Sequence, residues 1–214
     1  MKLQIAGIVH QDPLGRRRLN TWIDRAFSLS DQAPAFIAVE WDKRMLASVL
    51  AERSRLEELA RETWPTAPAS FLAELVAAVA YEGEVPISSH PNVDVLYLDE
   101  GRVLDDETVL TQFALDRMRN YRHMFDESLD SFGQEQLEAM SRYSWQVTVC
   151  DNPNTRDHEF AKRIGEAYPA DILEWGVVVV GACHALLDQG YMAHQLDELG
   201  YECRTEQLDT SWAP

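Results

Sequence analysis

Two stretches of this 214-residue chain end an apolar run in the same way. KLQIAGIVH (residues 2–10) and GVVVVGACH (176–184) each follow the run with glycine, two residues and a histidine. Imidazole changes its protonation near neutral pH and ligates transition metals through either ring nitrogen. Two further runs end in carboxylates: AFIAVE (35–40) in Glu40, and LYLDEG (96–101) in Asp99 followed by a turn. In open α/β sheets ligands bind outside the carboxyl ends of the strands. His10, Glu40, Asp99 and His184 are therefore expected at one sheet edge. Two imidazoles and one carboxylate form a metal-ligand set that leaves positions open for water or substrate. An ion held there lowers the pKa of its water and polarises a carbonyl. Each neutral imidazole needs a partner on its second nitrogen, and Asp99 or Asp157 is a candidate for that place.

Every one of these residues also has a plain structural reading. A histidine at a strand end is satisfied by backbone groups in many proteins. Glu40 is equally suited to the start of a helix, where the macrodipole favours an anion. Arg44 stands four residues after Glu40, so it reads either as an i,i+4 ion pair or as a clamp for a substrate carbonyl or carboxylate. Asp157 suits a helix start after Asn-Pro, with Thr155 or Asn152 as the cap. Arg16, Arg17 and Arg18 read as a solvated helix start, with phosphate binding as the rival. His90, His123, His158 and His194 lack ligand-like spacing. Ten glycines and six histidines give about 0.3 Gly-x-x-His matches by chance. Two matches, both at strand ends, tip the balance toward a site. Gly7 and Gly181, without a Cβ, permit close backbone approach or a sharp turn before each histidine.

The elements that must position these residues alternate in period. Strands are expected at 2–10, 35–40, 93–101, 176–180 and 201–208. Helices are expected over 19–27, 41–62, 70–84 and about 105–149, broken near Ser131-Phe132-Gly133. Others follow Asn152-Pro153 and His184. Strands alternating with helices predict an α/β fold with a largely parallel central sheet flanked by helices. Four consecutive valines fit a central strand covered on both faces. The chain reads as one domain, 1–214, with its helix-rich middle (about 105–170) a candidate cap over the site.

A net charge of −17, from 36 acidic and 19 basic residues, disfavours nucleic acid and anionic membranes as partners. Cys150, Cys183 and Cys203 form no CxxC pair, no secretory leader is legible, and the longest apolar run is too short for a bilayer. A cytoplasmic protein with reduced thiols is expected, Cys183 being a buried thiol beside His184.

The order GIVH (7–10), VEWDKR (39–44), LYLDEG (96–101), NTRDHEFAKRI (154–164) and GACH (181–184) resembles the TraB/Tiki superfamily. Glu100 stands where that family usually has arginine. The resemblance implies a divalent-metal site of His10, Glu40 and His184, with Arg156 directed into it. Tiki members are metal-dependent proteases, TraB members are linked to shutdown of peptide pheromones, and distant relatives include erythromycin esterases and haem-binding ChaN-like proteins. Kinship of fold does not choose among these chemistries.

The leading expectation is a hydrolase of peptide or ester bonds that depends on a divalent ion (Mn, Zn or Co). Glu40 acts as ligand or general base, and Arg44 or Arg156 stabilises the oxyanion. Without HExxH the ligands come from distant strands rather than one helix. The substrate is a small peptide or ester, and a homo-oligomer is compatible with the sequence. The rival readings are a non-catalytic module binding peptide, haem or metal, and a metal-free acid/base site.

Overall fold

The structure is a computed structural model and describes residues 1–10, 12–101, 116, 132–150, 152–172 and 174–211. Five parallel strands form one sheet: β1 (Lys2–Ile8), β2 (Phe36–Val39), β3 (Asp94–Tyr97), β4 (Trp175–Gly181) and β5 (Glu202–Gln207), in the order β3-β2-β4-β1-β5. Eight α-helices accompany it among the described residues: α1 (Gly15–Ser28), α2 (Lys43–Ala51), α3 (Arg53–Thr63), α4 (Ala69–Ala77), α5 (Tyr81–Ser89), α6 (Gln134–Val147), α7 (Thr155–Ala167) and α8 (Met192–Glu198). This is the α/β fold that the alternating periods predict.

Period-two alternation sorts the strand residues between two cores. Ala6, Ile8, Ile37, Val39, Val177 and Val179 face α1 to α6. Leu3, Ile5, Phe36, Ala38, Val178 and Val180 face Phe160, Ile164, Met192 and Leu196 of α7 and α8. A sheet buried on both faces needs strands apolar on both sides, and Val177–Val180 are fully buried in the middle position.

Some boundaries differ from expectation. The 41–62 helix is two helices that part at Glu52, so that Leu46 and Val49 on one, Leu56 and Ala60 on the other, all reach the core. The 70–84 helix breaks at Ala78–Ala80 and restarts as α5. After His184 comes a short 3₁₀ turn (Ala182–Ala185), and α8 begins only at Met192. Helix α6 starts directly after Gly133, at the expected break. Most of the helical stretch expected before it, and His123 within it, lies outside the described residues.

The Arg16–Arg18 run is a solvated start at Arg16 and Arg17 but not at Arg18. Arg18 is buried and pairs with Asp12, Arg17 binds Glu74 and Gln134, and Arg16 lies 4.0 Å from Glu84. Carboxylates and an amide already occupy the guanidiniums that a phosphate would need. Arg18 also donates to Ser141 Oγ at 2.9 Å, and Trp145 Nε1 donates to Asp12 Oδ2 at 3.0 Å. These bonds fasten α6, one described part of the helical middle, beside the loop that carries His10.

Candidate functional site

The sheet order places the ends of β2, β4 and β1 side by side, and these are the strands that lead into Glu40, His184 and His10. Sequence neighbours could not do this, because β4 inserts between β1 and β2 from far along the chain. Ile8 pairs with Gly181, so the two Gly-x-x-His segments leave the sheet almost in register. The Gly181 N–H donates to Glu40 Oε2 at 2.6 Å. A Cβ on Gly181 would stand 3.1 Å from His10 Nε2 and 3.3 Å from Glu40 Oε2, in the space all three residues share. Gly7 answers to the other side, where a Cβ would collide with the Gln207 side chain.

Both imidazoles are oriented alike. His10 Nδ1 lies 2.9 Å from Glu82 Oε1, and His184 Nδ1 lies 2.7 Å from Asp157 Oδ1. Ionised carboxylates only accept, so each Nδ1 carries the proton. Each Nε2 then faces Glu40 Oε1, at 3.6 Å from His10 and 3.7 Å from His184. Burial alone would lower the His10 pKa, but the carboxylates of Glu40 and Glu82 outweigh it and raise it to about 9. Burial alone would raise Glu40, yet His10, His184 and Arg156 hold its carboxyl well below the usual range.

Arg156, in the first turn of α7, donates through one terminal nitrogen to Glu40 Oε1 and to Asp99 Oδ2, each at 2.6 Å. Its guanidinium lies over the Phe160 ring, 5.0 Å from the centroid. Its Nε is buried with no hydrogen-bond partner among the described residues. Asp99 thus orients the arginine, while Nδ1 of the two imidazoles takes Glu82 and Asp157. Asp157 does two jobs: Oδ2 accepts from Asn154 N, closing a capping box, while Oδ1 takes His184 Nδ1 and Met192 N. The cap is Asn154, rather than Thr155 or Asn152.

The structure does not bring Arg44 to this cluster. Asp42 caps α2 by accepting from the Arg44 and Met45 amides, and the helix turns the Arg44 side chain to solvent. No ion pair joins Arg44 to Glu40 among the described residues. Glu82, by contrast, belongs to the cluster and is absent from the sequence reading. Its signal was present: Leu75–Gly83 is an apolar run whose single charge is Glu82. A lone buried acid needs a partner.

Cys150 and Cys183 form a disulfide, which corrects the expectation of reduced thiols. The loop after α6 folds back on the 3₁₀ turn and brings the two sulfurs together one residue before His184. Cys203 is free. Among the described residues, His158 contacts Gln195 and His194 lies near Glu198, away from the cluster.

No family model matches the chain, and no curated protein or solved structure matches it. Chemistry must be read from the donor set itself. Four carboxylates (Glu40, Glu82, Asp99, Asp157) face one guanidinium and two imidazoles, an excess of negative charge that a divalent cation would balance. Among the described residues, no three His, Cys, Asp or Glu side chains are closed around a cation position. Glu40 Oε1, the oxygen both Nε2 atoms face, is held by Arg156. The set nonetheless suits an ion in kind. Two imidazoles have Nδ1 fixed on carboxylates and Nε2 directed at a third, around a space kept clear by the missing Cβ of Gly181.

Proposed function

We propose that this chain is a divalent-metal-dependent hydrolase of peptide or ester bonds, with His10, His184 and Glu40 as metal ligands, akin to the TraB/Tiki superfamily. The observation that carries the reading is the pair of carboxylate-anchored imidazoles whose Nε2 atoms both face Glu40. When bound, a divalent ion (Mn, Zn or Co) supplies Lewis-acid polarisation of a carbonyl and a water of lowered pKa. Glu82 and Asp157 hold the Nδ1 proton of His10 and His184, so that Nε2 is the ligating atom of each, in His10 once an ion displaces the proton that its carboxylates favour. Arg156, anchored on Asp99, offers its unpaired Nε–H to a carbonyl oxygen as negative charge develops there. The low pKa that His10, His184 and Arg156 give Glu40 favours its place as a ligand over that of general base, the other role expected of it.

The Arg156–Glu40 contact favours one rival: a binding module for peptide, haem or metal, in which the arginine closes the site and no turnover follows. The cytoplasmic location expected from the sequence also belongs to this proposal. No helix among the described residues is long and apolar enough to cross a membrane. The Cys150–Cys183 bond weighs toward an oxidising compartment, where disulfides persist. Fractionation of cells expressing a tagged chain decides this, and light scattering reads the oligomeric state.

Elemental analysis after purification without chelator or immobilised metal tests the core of the proposal. Near-stoichiometric metal in the wild type, lost in a His10→Ala, His184→Ala double variant, supports it and directs screening to small peptides and esters. Equal Mn, Zn and Co titration curves for the two proteins would sink it.

A further inference from the structure

We propose that Tyr81-Glu82-Gly83, the first turn of α5, is a positioning element that sets His10 and Glu40 at their working separation. The proposal extends the reading of His10 and Glu40 as ligands, and it names three residues outside that set.

Each of the three holds a different part of the site. The Tyr81 hydroxyl, fully buried, donates to the carbonyl oxygen of Val9 at 2.9 Å. That bond fixes the backbone one residue before His10. Glu82 then takes His10 Nδ1 at 2.9 Å, fixing the ring about its side-chain torsions. Gly83 faces the other strand end: a Cβ there would stand 2.9 Å from Trp41 Cδ1 and 2.8 Å from Leu46 Cδ2. Trp41 follows Glu40 directly, and Leu46 lies on α2 behind it. The bare glycine therefore lets α5 seat against the exit of β2 while its two preceding side chains grip the exit of β1. One helical turn spans two strand ends that are not neighbours in the sheet, since β4 lies between them.

The placement at a helix start is apt for a buried acid. Glu82 lies in the first turn, where the helix dipole favours negative charge. Glu84, two residues on, points away and binds Arg53. Only one acid of the turn is committed to the site. The resulting 3.6 Å between His10 Nε2 and Glu40 Oε1 suits two ligands of one small ion, each about 2.0–2.2 Å from it.

The test uses the full chain with Tyr81→Phe, Glu82→Gln, Glu82→Leu and Gly83→Ala, and two readouts. The first is the ¹⁵N-edited resonance of the His10 Nδ1–H in metal-free protein, assigned with His10→Gln. The second is Co²⁺ affinity by titration, with unfolding curves run alongside. Glu82→Leu should abolish the resonance, whereas Glu82→Gln, which keeps an acceptor, should retain a weakened one. Tyr81→Phe should shift it although Glu82 is intact. Co²⁺ binding should weaken about 10- to 100-fold for the Glu82 variants and about fivefold for Tyr81→Phe, the worth of one net hydrogen bond.

A role in stability alone predicts lower melting with the His10 resonance unmoved, and that result overturns the proposal. So does wild-type Co²⁺ affinity in both Tyr81→Phe and Glu82→Leu. Should Gly83→Ala fail to fold, the other variants still decide. If the wild type binds no Co²⁺, the metal reading falls, and the proton resonance alone judges whether this turn positions His10.

Discussion

The site has two halves built on one plan from opposite sides of the sheet. In the first, His10 from the end of β1 is anchored by Glu82, which belongs to the helical layer packed on one face. In the second, His184 from the end of β4 is anchored by Asp157, from the layer on the other face. The strands deliver the imidazoles, and each layer supplies one carboxylate to orient them. The halves differ in reinforcement. Asp157 also closes the cap of α7 and holds Met192 N, and the Cys150–Cys183 bond ties the loop before α7 to the turn carrying His184. The His10 half has no covalent staple, and its imidazole is more open to solvent, 31% against 8% for His184. The His184 half is the more heavily cross-linked of the two, and Glu40 is shared between them.

The largest effect should come from breaking the shared member. Glu40→Gln keeps the volume but removes the charge that both Nε2 atoms and Arg156 face. Its Co²⁺ affinity should fall by more than the roughly 10- to 100-fold typical of an outer partner. His10→Ala and His184→Ala should each fall comparably. Wild-type binding by Glu40→Gln would mean that the halves are not joined through this carboxylate.

Next in size is the staple. By the chain-entropy model, closing a loop across a sequence separation of 33 residues contributes roughly 3–4 kcal/mol. Cys150→Ser with Cys183→Ser should lose about that much in urea unfolding, while leaving the His10 Nδ1–H resonance in place. If the His10 signal moves as much as that of His184, the halves are coupled and the contrast in reinforcement fails.

Asp157→Ala should cost less, about 2 kcal/mol, from a lost cap and a buried amide left without its acceptor. Glu82→Gln, which caps nothing, should lose metal affinity with a smaller loss of stability. Unfolding curves and Co²⁺ titrations of both variants, measured side by side, read this directly. Equal stability losses would remove the distinction between an anchor that also builds its helix and one that only orients a ring.

The same asymmetry explains what could be read from sequence. His10, Glu40, Asp99 and His184 were legible because each ends an apolar run, and a parallel sheet sends every strand end to one edge. Asp157 was legible because Asn-Pro marks a helix start and an acid belongs there. Glu82 showed only as the single charge of an apolar run, because its helix begins after Ala78–Ala80 with no side-chain cap to announce it. The strand order that makes β1, β4 and β2 neighbours is a long-range property that no local pattern carries. Arg44 misled for a related reason. Spacing of four suggested a helical face shared with Glu40, but Asp42 caps the helix and leaves Glu40 outside it. The disulfide joins cysteines whose separation says nothing until the α6–α7 loop is folded back.

The smallest effect expected is at a histidine outside both halves, and it provides a reference for them. His90 follows α5 at the far end from Glu82, its ring stacked on Phe27 with centroids 3.4 Å apart and planes 5° from parallel. Trp175, the first residue of β4, meets Phe27 edge-on, so this cluster sits at the amino edge of the sheet. Buried His90 Nε2 has no hydrogen-bond partner among the described residues. Burial lowers the His90 pKa, against a weaker opposing pull from Asp24. The folded state therefore resists the proton that the unfolded state accepts near pH 6.5. Stability is full above that pH and declines as pH falls through it toward the lower folded value. His10 is shifted the other way, raised by its carboxylates. Urea unfolding at pH 7.5 and pH 5 should show His90→Gln losing less stability on acidification than the wild type, with the His10 Nδ1–H resonance unchanged. An identical pH dependence in the two proteins would show that the Phe27 stack tolerates an imidazolium, and that carboxylate partners are not what sets His10 apart from His90.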